Sequence, residues 1–304
     1  MAARTMTRLR RREELEGYLY ISPWILGFFI FVLGPMIASI YLSLTHYNLI
    51  EPPRFVGFRN YVYMVSEDEL FWGSLGRTLY YAGVSIPLGV TGSLLLALLL
   101  DQQLRGTAFF RTVFFLPHLT PIVASVFLWK WILQPQVGLM NYLLGKIGID
   151  GPGWLVSQKW AIPALIVMSL WRGMGGNRMI IFLAGLQGIP EELYEAAMID
   201  GAGVWRRFVH VTVPMLTPTI FFNMIVGVIG GLKVFTSAFV ATEGGPGHAT
   251  YFYVLHLYNK AFAYAEMGFA SALAWAFFVV VLSFTLIQVV MSRRWVFYGG
   301  EVTG

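Results

Sequence analysis

The sequence contains no cysteine, which excludes a disulfide framework, a thiolate nucleophile and any cysteine-ligated metal. Charge is scarce as well. Only 12% of the 304 residues are charged, against about 25% in a soluble globular chain. That shortage excludes a soluble globular enzyme. It equally excludes intrinsic disorder, which needs high charge and low hydrophobicity. The glycines and prolines, 32 and 14 in number, show none of the triplet spacing a collagen helix requires. Apolar residues fill the chain instead, at 57% against roughly 45 to 50% in an average protein. The composition leaves a multi-spanning membrane protein.

Net charge is +5, yet the positive residues sit beside apolar runs. The expected partner of this charge is therefore membrane lipid and not nucleic acid. The runs lie at about 18–44, 79–100, 113–133, 161–186, 217–240 and 268–291. Each is near the 20 residues or so that one crossing needs. Lipid offers backbone N–H and C=O groups no partner, so each span must be a helix. The first run follows Arg8, Arg10, Arg11 and Arg12 as a signal peptide would. It is far longer than the apolar core of such a peptide and has no evident cleavage site, so it reads as a retained span. Strict alternation over ten-residue segments is missing, which argues against a β-barrel. The expected fold is all-α, with six transmembrane helices.

Orientation follows from loop Lys and Arg. With the N-terminus inside, Arg4, Arg8, Arg10, Arg11, Arg12, Arg105, Arg111, Arg206, Arg207, Arg293 and Arg294 are cytoplasmic. They outnumber Arg54, Arg59, Arg77, Lys146, Lys159 and Lys260 on the other side. A multi-pass protein of the cell membrane with both termini cytoplasmic is expected.

Several chemistries are missing. A phosphate-cradling loop needs G-x-x-x-x-G-K-[ST], and the nearest string, Gly138 to Ile147, has the wrong glycine spacing and Ile147 where a hydroxyl is required. No acidic residue falls centrally in a span. His46, His118, His210, His248 and His256 are scattered without metal-ligand spacing and read as surface or interfacial residues. Neither a catalytic site nor a metal site is expected.

The connection at 187–216 is long and unlike the rest. Pro190 with Glu191 and Glu192 starts a helix, and Gly201 is placed to end it. A second short helix, about Val204 to Val211, precedes Pro214, so a cytoplasmic helix-turn-helix is expected. On the first helix Leu193, Ala196, Ala197 and Asp200 fall at i, i+3, i+4 and i+7. This small-residue face suits insertion into a groove on a partner. It equally suits a helix resting on lipid headgroups.

Glu195-Ala196-Ala197, then Gly201, then Val211-Thr212-Val213-Pro214 resembles the EAA-x3-G-x9-I-x-L-P loop of ABC importer permeases, with Val in place of Ile and Leu. Phe55-Val56-Gly57 with Asn60-Tyr61, Leu104-Arg105-Gly106, Phe110-Arg111-Thr112 through Pro117, and Gly244-Gly245-Pro246-Gly247 look like the sugar-importer branch, the maltose and glycerol-phosphate type. The resemblance covers nearly the whole chain. It implies one transmembrane domain over 1–304, a sister six-span permease, two cytoplasmic ATPases, an extracytoplasmic solute-binding protein and a sugar substrate. It also implies that ATP and magnesium sit on the ATPases, with no cofactor on this chain. By that resemblance Glu195, Ala196, Ala197, Asp200, Gly201 and Pro214 couple the permease to its ATPase.

The family's substrate contacts flank this loop, which points to Trp171, Arg172, Gly173, Met174 and Asn177 and to Gly227, Gly230, Gly231, Lys233 and Val234. Ionisable residues inside spans are costly and usually face a cavity, which favours Arg172 and Lys233. A cation there suits an acidic or phosphorylated sugar. The glycines fit close helix packing as well as a water-lined break. The loop at Glu243 to Gly247 is either a contact for the binding protein or a flexible turn. The rival reading is an ion-coupled secondary transporter, which needs inverted repeats and membrane carboxylates; neither is visible.

Overall fold

The computed structural model describes residues 8–102 and 105–297. Arg4 and Leu104, used above, lie outside the described residues, as do the side chains of Arg8 and Arg10. The chain divides into two compact units, one of residues up to Glu67 with Tyr258–Ala276, the other of Asp68–Leu257 with the residues from Phe277 onward.

The first unit opens on α1 (Arg8–Phe28), a π-helical turn at Phe29–Leu33 and α2 (Gly34–Ser43). They form one apolar rod over Arg11–Ser43. The π turn precedes Pro35, and the Gly34 N–H reaches back to Phe29 O. Proline has no N–H to donate and its ring crowds the carbonyl four residues earlier, so a wider turn lets the rod continue. A two-residue hairpin, β1 (Thr45–His46) and β2 (Arg54–Phe55), then leads to α3 (Arg59–Ser66). Here the Phe-Val-Gly and Asn-Tyr residues act as a clasp. Val56 N–H donates to Leu44 O at 2.9 Å. The Asn60 amide donates to Ser43 O at 2.8 Å and to Thr45 O at 2.9 Å. The bonds to Ser43 and Leu44 satisfy carbonyls that the end of α2 leaves open, and the bond to Thr45 ties in β1.

The second unit is built on α4 (Glu69–Asp101). It continues through α5 (Thr107–Leu119), α6 (Ile122–Ile132), α7 (Leu139–Lys146), α8 (Ala161–Gly173), α9 (Asn177–Gln187), α10 (Glu191–Ile199) and α11 (Val204–Arg207). A π turn at Phe208–Thr212, α12 (Val213–Leu232), α13 (Thr236–Thr242) and α14 (Tyr253–Tyr258) follow, and α15 (Met267–Ser292) passes from the first unit into the second. α4 packs on α8, α9 and α12, and α13 on α6. A core of Tyr81, Val126, Trp129, Leu165, Met168 and Phe252 joins α4, α6 and α8 to the segment before α14.

Among the described residues four helices are long and apolar enough to cross a membrane: Arg11–Ser43, Glu69–Asp101, Val204–Leu232 and Met267–Ser292. The run expected as one span at 113–133 is two helices, α5 and α6, bent by 97°. Thr120, extended at ψ 131, precedes Pro121, and a residue before proline is pushed out of the helical region. The run at 161–186 is likewise two short helices, α8 and α9, parted at Met174–Gly176. A side chain on Gly175 would collide with the Phe114 carbonyl, and one on Gly176 would meet His118 Nδ1 at 2.7 Å. The glycines thus let α5 cross directly over the break.

Pro214 does not part a short helix from span five. Residues Val204–Leu232 form one continuous helix, because the π turn carries the chain past Pro214, with Val213 N–H bonded to Phe208 O. His256 is not at a surface. It is fully buried, with Nε2 2.7 Å from Asp68 Oδ2, itself 6% exposed. Asp68 Oδ1 also accepts the Leu70 N–H at the start of α4. Beside them the Tyr253 N–H donates to Thr78 Oγ1 at 2.9 Å. Burial, and then the Asp68 carboxylate, push the Tyr253 phenol above its ordinary range. The Glu243–Gly247 turn is pinned, since Thr250 Oγ1 contacts Thr242 Oγ1 at 2.6 Å and donates to Gly245 O at 2.9 Å.

Candidate coupling helix and transport cavity

α10 begins at Glu191 with Pro190 in the N-cap position and Glu191 and Glu192 in its first turn. It ends in a glycine motif: Ala202 N–H donates to Ala197 O at 2.9 Å and Gly201 N–H to Met198 O at 3.0 Å, the double bond pattern of a Schellman turn. Gly201 has φ +75, a left-handed conformation that glycine adopts at no steric cost. Tyr194 fixes the helix to the foot of α12 by a 2.9 Å contact of its hydroxyl with Thr212 Oγ1. The opposite side is bare. Glu195, Ala196 and Asp200 are exposed and Ala197 half-buried, while Pro214 is half-buried along the continuous helix. Ile199 is 87% and Trp205 74% exposed, so an apolar rim surrounds the small-residue face. Among the described residues α10 is therefore anchored on one side and unpartnered on the other.

The expected substrate residues largely converge. A cavity of about 240 Å³ is lined by Arg172, Gly173, Gly230, Gly231, Lys233 and Val234. A second, of about 360 Å³, is lined by Arg172, Gly173, Met174, Asn177, Gly230 and Gly231. Trp171 lies outside both linings, its ring edge-on to Trp129 at 5.7 Å. Gly227 also lies outside; it is where α12 touches α4, 3.0 Å separating its would-be Cβ from Ile86. The cavities share Tyr81 and Ser169, and they add Ser85, His118 and Arg178 on one side and Ser125, Thr236 and Ser237 on the other. Sequence reasoning missed all of these except by type. Arg178 carried the one available signal, a cation inside an apolar run.

Long apolar helices, two of them broken around a polar cavity, with an unpartnered helix at their foot, define a polytopic membrane permease. The chain belongs to the family of binding-protein-dependent transport system inner membrane components, whose pattern matches residues 72–296. It is 40% identical to the probable ABC transporter permease protein YesP of Bacillus subtilis strain 168, over 96% of this chain and 95% of that one. It is 35% identical to the lactose transport system permease protein LacF of Rhizobium radiobacter, over 97% and 99%. Its fold matches a chain in the crystal structure of a bacterial alginate ABC transporter in complex with alginate pentasaccharide-bound periplasmic protein. That match has a TM-score of 0.83 at 27% identity and covers 93% of this chain and 96% of that one.

Proposed function

We propose that this chain is the six-span permease subunit of an ATP-driven, binding-protein-dependent sugar importer, and that it is not itself an enzyme. Six spans result if α5 with α6 and α8 with α9 each count as one broken crossing; an even number puts both termini on one side, and the excess of Arg in the loops of that side supports the cytoplasm. The observation that carries the reading is α10, held to α12 by Tyr194 and otherwise bare. Its face of Leu193, Ala196, Ala197 and Asp200 docks in a cleft of a partner ATPase, which holds the ATP and magnesium. Because α12 is continuous with Val204–Arg207, a push on the loop travels along a rigid helix that bears Gly230 and Gly231 in the cavity wall. A sister permease completes the pathway, and an extracytoplasmic binding protein delivers the sugar. The relatives named for lactose and alginate transport support a saccharide or oligosaccharide as cargo. Coupling to an ion gradient would need a carboxylate in the path, and among the described residues none lines either cavity.

Affinity capture of the chain from its native membrane in mild detergent, with mass-spectrometric identification, is expected to recover a P-loop ATPase and a second six-span permease. Recovery of the chain alone, under conditions that preserve other membrane complexes, would refute the reading.

A further inference from the structure

The two cavities hold an unbalanced charge. Arg172 lines both, Arg178 one and Lys233 the other, and no Asp or Glu lines either. Among the described residues none of these three cations has an ion-pair partner. Arg172 Nη2 reaches only the carbonyls of His118 and Thr120, at 3.4 and 3.5 Å, and its Nε is buried without a hydrogen bond. Arg178 is held by the shape of its surroundings. A Cβ on Gly89 would come 2.6 Å from its Nη1, and one on Gly227 would come 3.3 Å from its Nη2. Two glycines on two helices thus open a slot for one guanidinium. α9 adds to the imbalance, because its first turn, at Asn177 and Arg178, opens on the same cavity and a helix N-terminus carries partial positive charge.

Uncompensated cations in an apolar span are expensive and mark a pathway or a ligand. A planar guanidinium with paired N–H donors matches a carboxylate in particular. We infer that the cavity takes an acidic saccharide, a uronate whose carboxylates pair with Arg172, Arg178 and Lys233. This rests on the importer reading and narrows its substrate. Arg178 orients one carboxylate from the slot between Gly89 and Gly227, Arg172 faces the shared wall, and Lys233 stands at the end of α12 as an exposed third cation.

The test uses the assembled importer in cells and tritium-labelled oligosaccharides of galacturonate, glucuronate or mannuronate. Each is offered beside its fully methyl-esterified form, a neutral hexose oligomer of equal length, and a hexose phosphate. Chain-dependent uptake of at least one oligouronide is expected, tenfold or more above its ester. In Arg178→Gln and in Lys233→Gln that ratio should fall toward one, and Arg178→Lys should restore part of it. Co-purification of the ATPase verifies assembly, and Lys233→Gln, at an exposed position, decides the matter if Arg178→Gln fails to assemble. Uptake of neutral, esterified or phosphorylated sugar at or above the acidic rate would overturn the inference while leaving the importer standing. Equal loss of acidic and esterified uptake in the variants would also overturn it, by making the cations structural. Uptake of no saccharide at all would overturn the importer reading with it.

Discussion

Gly201→Val is expected to abolish sugar uptake while leaving the chain inserted in the membrane. A Cβ at Gly201 meets nothing within 4 Å, so the substitution creates no clash inside this subunit. The cost is conformational. At φ +75 a β-branched residue is a strong outlier, and such strain amounts to about 1–3 kcal/mol. The strain is relieved by giving up the two bonds from Gly201 and Ala202 that end α10, which changes the angle between α10 and the continuous Val204–Leu232 helix. On the proposed function, a lever whose joint has moved is expected to present Leu193, Ala196 and Ala197 poorly to the ATPase cleft. Uptake is expected to fall at least tenfold, with weaker retention of the ATPase and little change in the melting of the subunit. Gly201→Asn is the matched control, because asparagine tolerates the left-handed region; it should keep much of the activity. Equal uptake by the Val variant and the wild type would remove the joint from the mechanism.

Asp68→Ala is expected to cause the largest loss of stability. The carboxylate has two duties, as the N-cap of α4 through Leu70 and as the partner of a fully buried His256. Losing a cap costs about 1 kcal/mol, and leaving a buried polar group without its hydrogen-bond partner about 1–3 kcal/mol. The apparent melting temperature of the purified complex should drop by on the order of 10 °C, at the few degrees per kcal/mol of a chain this size. Asp68→Asn keeps a capping oxygen and should fall in between. An unchanged melting temperature in Asp68→Ala would show that the pair does not hold α14 against α4.

These two sites were unequally legible in the sequence. Gly201 was readable because its cause is local: a helix with acidic residues in its first turn runs out at a glycine, and the structure ends α10 at Ile199, with Asp200 as its C-cap and Gly201 next. The first, second and last long helices were readable from hydropathy for the same reason. The Asp68–His256 pair was not, since its members are 188 positions apart and only the tertiary fold brings them together. Hydropathy also passed over the bend at Thr120–Pro121 and the break at Met174–Gly176, because small and apolar residues keep a run continuous whether or not its backbone is. Pro214 misled in the other direction. Proline usually ends a helix, and only the preceding π turn, which leaves no signature in composition, allows this helix to go on. In the cavity, Arg172, Gly230, Gly231 and Lys233 came from the flanks of a recognisable loop, whereas Tyr81 and Ser85 arrive from α4, whose long apolar run gave no hint of a polar face.

The most direct test of the account is transport in a defined system. The chain, its sister permease and its ATPases are reconstituted in liposomes with the binding protein and labelled saccharide outside and ATP with magnesium inside. Accumulation that requires ATP and the binding protein, and that persists when proton and sodium gradients are collapsed, is the predicted result. Accumulation driven by an imposed ion gradient without ATP would contradict it.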